Sequence, residues 1–214
     1  MLLHRARVAT SKRLPRRLRP RAGAAVFSVV ALALRGDAVT CVCCGRSFRH
    51  FVSYPSLYCP GCGSYERHRQ LCIFLNRHPD LIAEADVLHV GPERSVIALF
   101  KPRSRSWLSI DIDHPLADRR MDVQELELAT SSFDVALCAH VLDVVPDQAR
   151  ALGELHRVLR PGGLLILHTP AWQDLTPVTA AGFELEEVVL DEQRDPLERH
   201  RLGLDLLPLY LCRR

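Results

Sequence analysis

The chain has 214 residues, 48% of them hydrophobic, which is ample for the core of one α/β domain carrying a small appendage. Its net charge of +3 is uneven: residues 1–21 hold eight of the 28 basic residues and no acidic one, so the rest is an acidic body with a net charge of −5. The pI of about 8.5 therefore belongs to a tail and is no argument for a nucleic-acid-binding domain, and the eight cysteines, four in two CxxC pairs and others inside apolar runs, do not form a disulfide scaffold and point to a reducing cytoplasm.

The basic, proline-punctuated stretch Met1–Arg21 is followed by the thirteen residues Ala22–Leu34, AGAAVFSVVALAL. Thirteen residues are too few for a helix to cross a bilayer, and no small-residue cleavage site follows them. Residues 1–36 are expected to be a basic tail and an apolar helix docked on the body, with membrane contact limited to peripheral attachment through the basic residues.

Residues 37–78 carry the most specific chemical signal. Cys41-Val-Cys-Cys44-Gly and Cys59-Pro-Gly-Cys62-Gly are two CxxCG knuckles separated by fourteen residues. Two cysteines three apart in a tight turn can aim both sulfurs at one ion, and two such turns close a tetrahedral four-sulfur site. Cys41, Cys44, Cys59 and Cys62 are the expected ligands of a structural Zn2+; Cys43 is an alternative to one of its neighbours. Phe48, Phe51, Tyr54 and Tyr58 between the knuckles supply a small core. A helix is predicted from Ser64, its expected cap, with Leu71, Phe74 and Leu75 on the apolar face; His68 is assigned to hydrogen bonding and not to the metal.

From residue 79 to 214 strands and helices alternate. Asp86–Gly91 is the first predicted strand, Arg94–Phe100 the helix after it, and Trp107–Asp113 the second strand. An acid at that strand's end can accept ribose hydroxyls, and Asp111 fits that position ahead of Asp113. Phe133–Cys138 is an apolar run suited to a parallel strand buried on both faces. Asp147 caps a helix whose Leu152, Leu155, Val158 and Leu159 share one face. Pro161-Gly162-Gly163 is expected to stop it before the strand Leu164–Leu167. A strand–helix–strand unit with so short a crossover requires a parallel sheet, and ligands bind past the carboxyl ends of such strands, here at Ala139, His140 and Asp143. Glu184–Leu190 and Leu206–Cys212 complete the sheet as an edge hairpin, with Asp191–Leu204 a charged surface excursion.

The words FDVALCAHVLDVVPD and RVLRPGG resemble the fourth- and fifth-strand motifs of class I S-adenosylmethionine-dependent methyltransferases. GSYERHR at Gly63–Arg69 is similar to a segment of the bacterial group that carries a cysteine-rich zinc module in front. The resemblance covers roughly Arg35 to Cys212 and implies a Rossmann-like, doubly wound, mostly parallel sheet with an antiparallel last strand, behind a small zinc-binding module. It implies S-adenosylmethionine as cofactor, bound by the turn His89-Val-Gly91-Pro-Glu93, by Asp111, by the Asp122-Val123 loop and beside Ala139. That turn keeps only the first glycine of the usual acid-x-Gly-x-Gly-x-Gly: His89 stands at the acidic position, and Glu93 and Ser95 replace the later glycines. Glu93 is a candidate contact for the methionine ammonium. His140 is the candidate general base for a hydroxyl acceptor; it is equally a loop histidine bonded to backbone. The function implied is methyl transfer to a small-molecule acceptor, without nucleic-acid partners. The alternative is a catalytically degenerate methyltransferase fold acting as a zinc-containing binding or scaffold module.

Overall fold

The computed structural model describes residues 29–53, 56–169, 175–189, 196–204 and 208–214. The basic head, the start of the apolar run, Tyr54 and the connection around Trp172 lie outside the described residues. The chain divides into two compact units, Met1–Gln70 with Arg194–Asp205, and Leu71–Gln193 with Leu206–Arg214.

In the first unit, residues 29–33 are helical, with Ala31 buried and Val29 and Leu32 exposed. Strand β1 (Arg35–Thr40) pairs antiparallel with β2 (Ser47–Phe48), and β3 (Val52–Ser53) with β4 (Leu57–Tyr58). The two knuckles repeat one set of backbone bonds. The Gly45 N–H donates to the Cys41 carbonyl and the Gly63 N–H to the Cys59 carbonyl, both at 2.8 Å, while Cys41 and Cys59 N–H donate to the carbonyls of Arg46 and Ser64 at 3.0 and 2.8 Å. The closing glycines have φ of +67° and +77°, a left-handed turn that a side chain resists.

Helix α1 (Glu66–Arg77) crosses the boundary between the units, with Leu71, Phe74 and Leu75 buried as their spacing predicts. Its start differs from expectation. The Tyr65 N–H donates to His68 Nδ1 at 3.3 Å, so the imidazole caps the helix, while the Ser64 hydroxyl turns to the cysteines. Residues 196–204, expected as a surface excursion of the domain spanning 79–214, instead form a short helix (Pro196–Leu202) and a turn that belong to the first unit. The physical reason is the buried Arg69 guanidinium, which donates to the Leu202 and Gly203 carbonyls.

The second unit is built on a seven-stranded sheet: β5 (Asp86–Val90), β6 (Ser106–Asp111), β7 (Arg119–Arg120), β8 (Phe133–Ala139), β9 (Leu159–His168), β10 (Glu184–Val189) and β11 (Leu209–Arg213). Their spatial order is β10-β11-β9-β8-β5-β6-β7. Every neighbouring pair from β9 to β7 is parallel, and β11 runs antiparallel to both its neighbours. This is the Rossmann-like class I methyltransferase sheet, with the order reversing between β5 and β8. Helix α2 (Arg94–Phe100) links β5 to the β6 side, and α3 (Gln148–Val158) links β8 to β9. Asp147 caps α3 by accepting the Arg150 N–H at 2.9 Å, and Ala151, Leu152, Leu155 and Val158 are fully enclosed.

Two of the boundaries that differ from expectation have a clear physical cause. Helix α3 ends before Pro161: Leu159 is already extended (φ −71°, ψ 148°) and pairs with Phe133, so Pro161-Gly162-Gly163 form an irregularity inside β9. Burial of Leu159 in the sheet outweighs the stop signal that follows it. Strand β6 ends at Asp111, two residues early, because its carboxylate accepts the N–H groups of Asp113 and His114, both at 2.8 Å, and turns the chain. Helix α4 (Thr176–Ala180) precedes the β10–β11 hairpin.

Candidate functional site

The first constellation is the cysteine cluster. The sulfurs of Cys41, Cys44, Cys59 and Cys62 all lie within 4.8 Å of one another, and Cys43 is outside this group. Two sulfur–sulfur separations, Cys41 to Cys62 and Cys44 to Cys59, are 3.7 Å. A tetrahedron with zinc–sulfur bonds of about 2.3 Å has edges of about 3.8 Å, so the donor set has the size and chemistry for Zn2+. None of the eight cysteines, all of them described, forms a disulfide. Two contacts beyond the cysteines escape sequence inspection: the Ser64 hydroxyl lies 3.3 Å from Cys41 Sγ and 3.2 Å from Cys62 Sγ, and the Gly61 N–H donates to Cys59 Sγ at 3.3 Å. A hydroxyl two residues past the last cysteine is the only signal for the first.

The second constellation lies at the carboxyl ends of the parallel strands. Gly91 follows β5 with φ of +70°, and a Cβ there would stand 2.6 Å from Val141 Cγ2. Only glycine lets the β5 turn and the loop after β8 approach so closely. His89 is fully enclosed inside β5, its ring edge-on to Trp107, and its Nε2 lies 2.7 Å from the Glu93 carboxylate. Its placement makes it a support for Glu93. Ser95, in the first turn of α2, is buried and its hydroxyl has no hydrogen-bond partner among the described residues.

At the end of β6, Asp111 uses Oδ1 for the turn, while its second oxygen accepts no hydrogen bond among the described residues. A cleft of about 360 Å³ is lined by Ile112, Arg120, Met121, Asp122, Glu125 and Glu127, and not by Asp111 itself. Asp122 accepts the Gln124 backbone N–H at 2.9 Å, which with the Gln124 amide holds its carboxyl below the usual range. The Val123 side chain is buried in the core.

Beyond β8, Ala139 is buried and His140 takes the left-handed conformation (φ +55°), held by its N–H donating to the His168 carbonyl at 2.7 Å. Its Nδ1 lies 3.5 Å from Asp143 Oδ2, and its ring meets that of His168 at 5.3 Å between centroids. Thr169 donates its hydroxyl to Asp143. This side-chain network of Asp143, His168 and Thr169 around His140 was beyond the sequence motif, which singled out only His140 and Asp143. Burial pushes the thiol of Cys138, inside β8, up to about 12, which removes it as a nucleophile at neutral pH.

Residues 59–167, just over half of the chain, match the family model described as a methyltransferase domain. Trans-aconitate 2-methyltransferase of Deinococcus radiodurans is 33% identical over 131 residues, 59% of this chain and 44% of that one. Malonyl-[acyl-carrier protein] O-methyltransferase of Pectobacterium atrosepticum is 31% identical over 121 residues, 51% and 47% of the two chains. The chain spans less than half the length of the curated relatives it matches. Among solved structures, the N-methyltransferase NodS of Bradyrhizobium japonicum, in complex with S-adenosyl-L-homocysteine, superposes with a TM-score of 0.54 at 18% identity, covering 69% of this chain and 87% of that one; this likeness concerns the fold. With the sheet order and the matched span in agreement, the chain belongs to the methyltransferase domain family and has the class I S-adenosylmethionine-dependent methyltransferase fold.

Proposed function

We propose that this protein is an S-adenosylmethionine-dependent methyltransferase of the cytoplasm, acting on a small-molecule acceptor, with a structural Zn2+ in its N-terminal module. The observation that carries the proposal is the convergence of Gly91, Asp111, Asp122 and Ala139 on the carboxyl edge of a class I sheet, with a cleft open beside Asp122. The Asp111 oxygen that accepts no hydrogen bond among the described residues fits a polar ligand at that edge.

S-adenosylmethionine supplies a methyl group on a positively charged sulfur. In this assignment Asp111 accepts the ribose hydroxyls, Asp122 the adenine amino group, and Val123 closes the loop that holds the ring. Gly91 lets main chain approach the cofactor, and Glu93, held by His89, faces its ammonium group. His140 accepts the proton that a hydroxyl acceptor loses, steadied through Nδ1 by Asp143. Loss of the sulfonium charge favours transfer once the two reactants are in line, so positioning outweighs acid–base help. The cytoplasmic assignment is supported by eight cysteines outside any disulfide; among the described residues no helix is long and apolar enough to cross a membrane.

Addition of S-adenosylhomocysteine to zinc-loaded protein tests the cofactor site. A ligand at 100 times its Kd stabilises a fold by about 2.7 kcal/mol, so a clear rise in Tm is expected. An unchanged Tm at millimolar ligand contradicts the proposal and favours the scaffold alternative, for which Glu93 and Ser95 in place of glycines are the supporting observation. Metal analysis of the purified protein, expected at one zinc per chain, tests the other half.

A further inference from the structure

Arg69 is the largest fully enclosed side chain among the described residues. Among the described residues its donors meet only main-chain oxygens: Nη1 donates to the Ser64 carbonyl at 2.7 Å, Nη2 to those of Leu57 (3.1 Å) and Gly203, and Nε to those of Leu202 and Gly203 at 3.0 and 2.9 Å. The Phe51 ring lies 4.2 Å from its Cζ. Carbonyl dipoles and an aromatic face satisfy hydrogen bonds but supply no net negative charge, and no carboxylate forms an ion pair with Arg69 among the described residues. A guanidinium does not deprotonate in proteins, so its enclosed charge needs a counterpart.

The sulfur cluster provides one. Ser64 joins the two directly: its carbonyl accepts a hydrogen bond from Arg69 Nη1 and its hydroxyl sits against Cys41 Sγ and Cys62 Sγ. Burial works against the Arg69 charge and lowers its pKa from the ordinary value. Four thiolates around a divalent ion carry a net charge of −2, of which one guanidinium offsets half. The same guanidinium reaches the carbonyls of Leu202 and Gly203, over 130 residues away in sequence, in the connection between β10 and β11.

We propose that Arg69 is the internal counter-charge of the four-cysteine metal centre, and that metal occupancy, acting through Arg69, holds the 196–204 segment in place. This rests on the zinc centre proposed above. The test compares zinc affinity, by competition with a chromophoric chelator, and amide hydrogen exchange of residues 196–204 in the full chain, for wild type, Arg69→Met and Arg69→Lys. Arg69→Met is expected to bind zinc at least tenfold more weakly, a typical effect of losing a residue behind the metal ligands. Arg69→Lys is expected to stay within a few-fold of wild type in affinity, since the charge remains. Exchange over 196–204 is expected to accelerate in both variants and in zinc-free wild type, with protection of β8 and β9 retained.

Unchanged zinc affinity in a folded Arg69→Met, or equal exchange over 196–204 with and without zinc, overturns the inference and leaves the zinc centre standing. If Arg69→Met does not fold, the comparison of wild type with and without zinc decides alone. A wild-type protein that binds no zinc overturns both.

Discussion

The imidazole of His89, fully enclosed within β5, holds the Glu93 carboxylate at 2.7 Å across the turn that opens the candidate cofactor site. The carboxylate can only accept, so Nε2 carries the proton and Nδ1 has no partner among the described residues. His89 thus acts on any ligand through Glu93. If this pair serves the cofactor, His89→Leu and Glu93→Gln each weaken S-adenosylmethionine binding by about tenfold, roughly 1.4 kcal/mol, and the double variant is no weaker than either alone. Calorimetric titration of the three variants measures it; additive losses would mean two independent contacts.

Gly91 serves the backbone before it serves a ligand. Gly91→Ala adds a left-handed strain and a methyl 2.6 Å from Val141 Cγ2, and it is expected to cost about 1–3 kcal/mol of stability. A second substitution, Val141→Ala, recovers part of that by removing the overlap. Urea midpoints of the single and double variants check the pair, and no recovery would place the strain elsewhere.

The Asp86 carboxylate joins Arg105 (2.6 Å) and Arg160 (2.9 Å) at the amino ends of the strands, with Asp134 bound to the same two arginines. The Arg105 hydrogen bond, then Ser106 and Arg160, hold its carboxyl far below the usual range. A carboxyl with a lower pKa folded than unfolded binds fewer protons in the native state. Its stabilising contribution is therefore present above the unfolded value of about 4 and is lost as pH falls below it. Asp86→Asn removes that part of the acid sensitivity: the stability difference from wild type is expected to be largest at pH 7 and to shrink by pH 3. A difference that stays constant with pH contradicts this.

Much of this architecture was legible because the signals are local. Asp147 caps α3 three residues before the N–H it accepts, the α3 apolar face follows from spacing alone, and the knuckle glycines sit where the chain must turn back. Where local signals compete with burial they mislead: Pro161-Gly162-Gly163 reads as a helix stop, yet Leu159 has already entered the sheet. Contacts between residues far apart in sequence left no pattern to read. The bond from Arg69 to Gly203, the Ser64 hydroxyl between two sulfurs and the grip of Thr169 on Asp143 all depend on the assembled fold. The strand-end positions of Gly91, Asp111 and Ala139 were legible in the sequence, whereas the enclosed place of His89 follows from sheet register.

The four-cysteine module, as the proposed zinc centre, is expected to respond to its smallest parts. Cys41→Ser removes one thiolate from a four-sulfur site and should abolish stable metal binding, whereas Ser64→Ala leaves the ligands and should weaken zinc by about tenfold. Cobalt substitution gives the readout, since tetrahedral thiolate sites absorb strongly in the visible; a full-strength spectrum from Cys41→Ser would return Cys43 to the ligand set.

The most direct test of the central claim is calorimetric titration of S-adenosylmethionine into the zinc-loaded protein and its Asp111→Ala variant. Asp111 also holds the turn after β6, so the fold of the variant is checked by circular dichroism alongside. Micromolar, one-to-one binding by the wild type and a loss of at least tenfold in a folded variant are expected. No binding by the wild type at millimolar ligand, or equal binding by the two, would contradict a cofactor site at the end of β6.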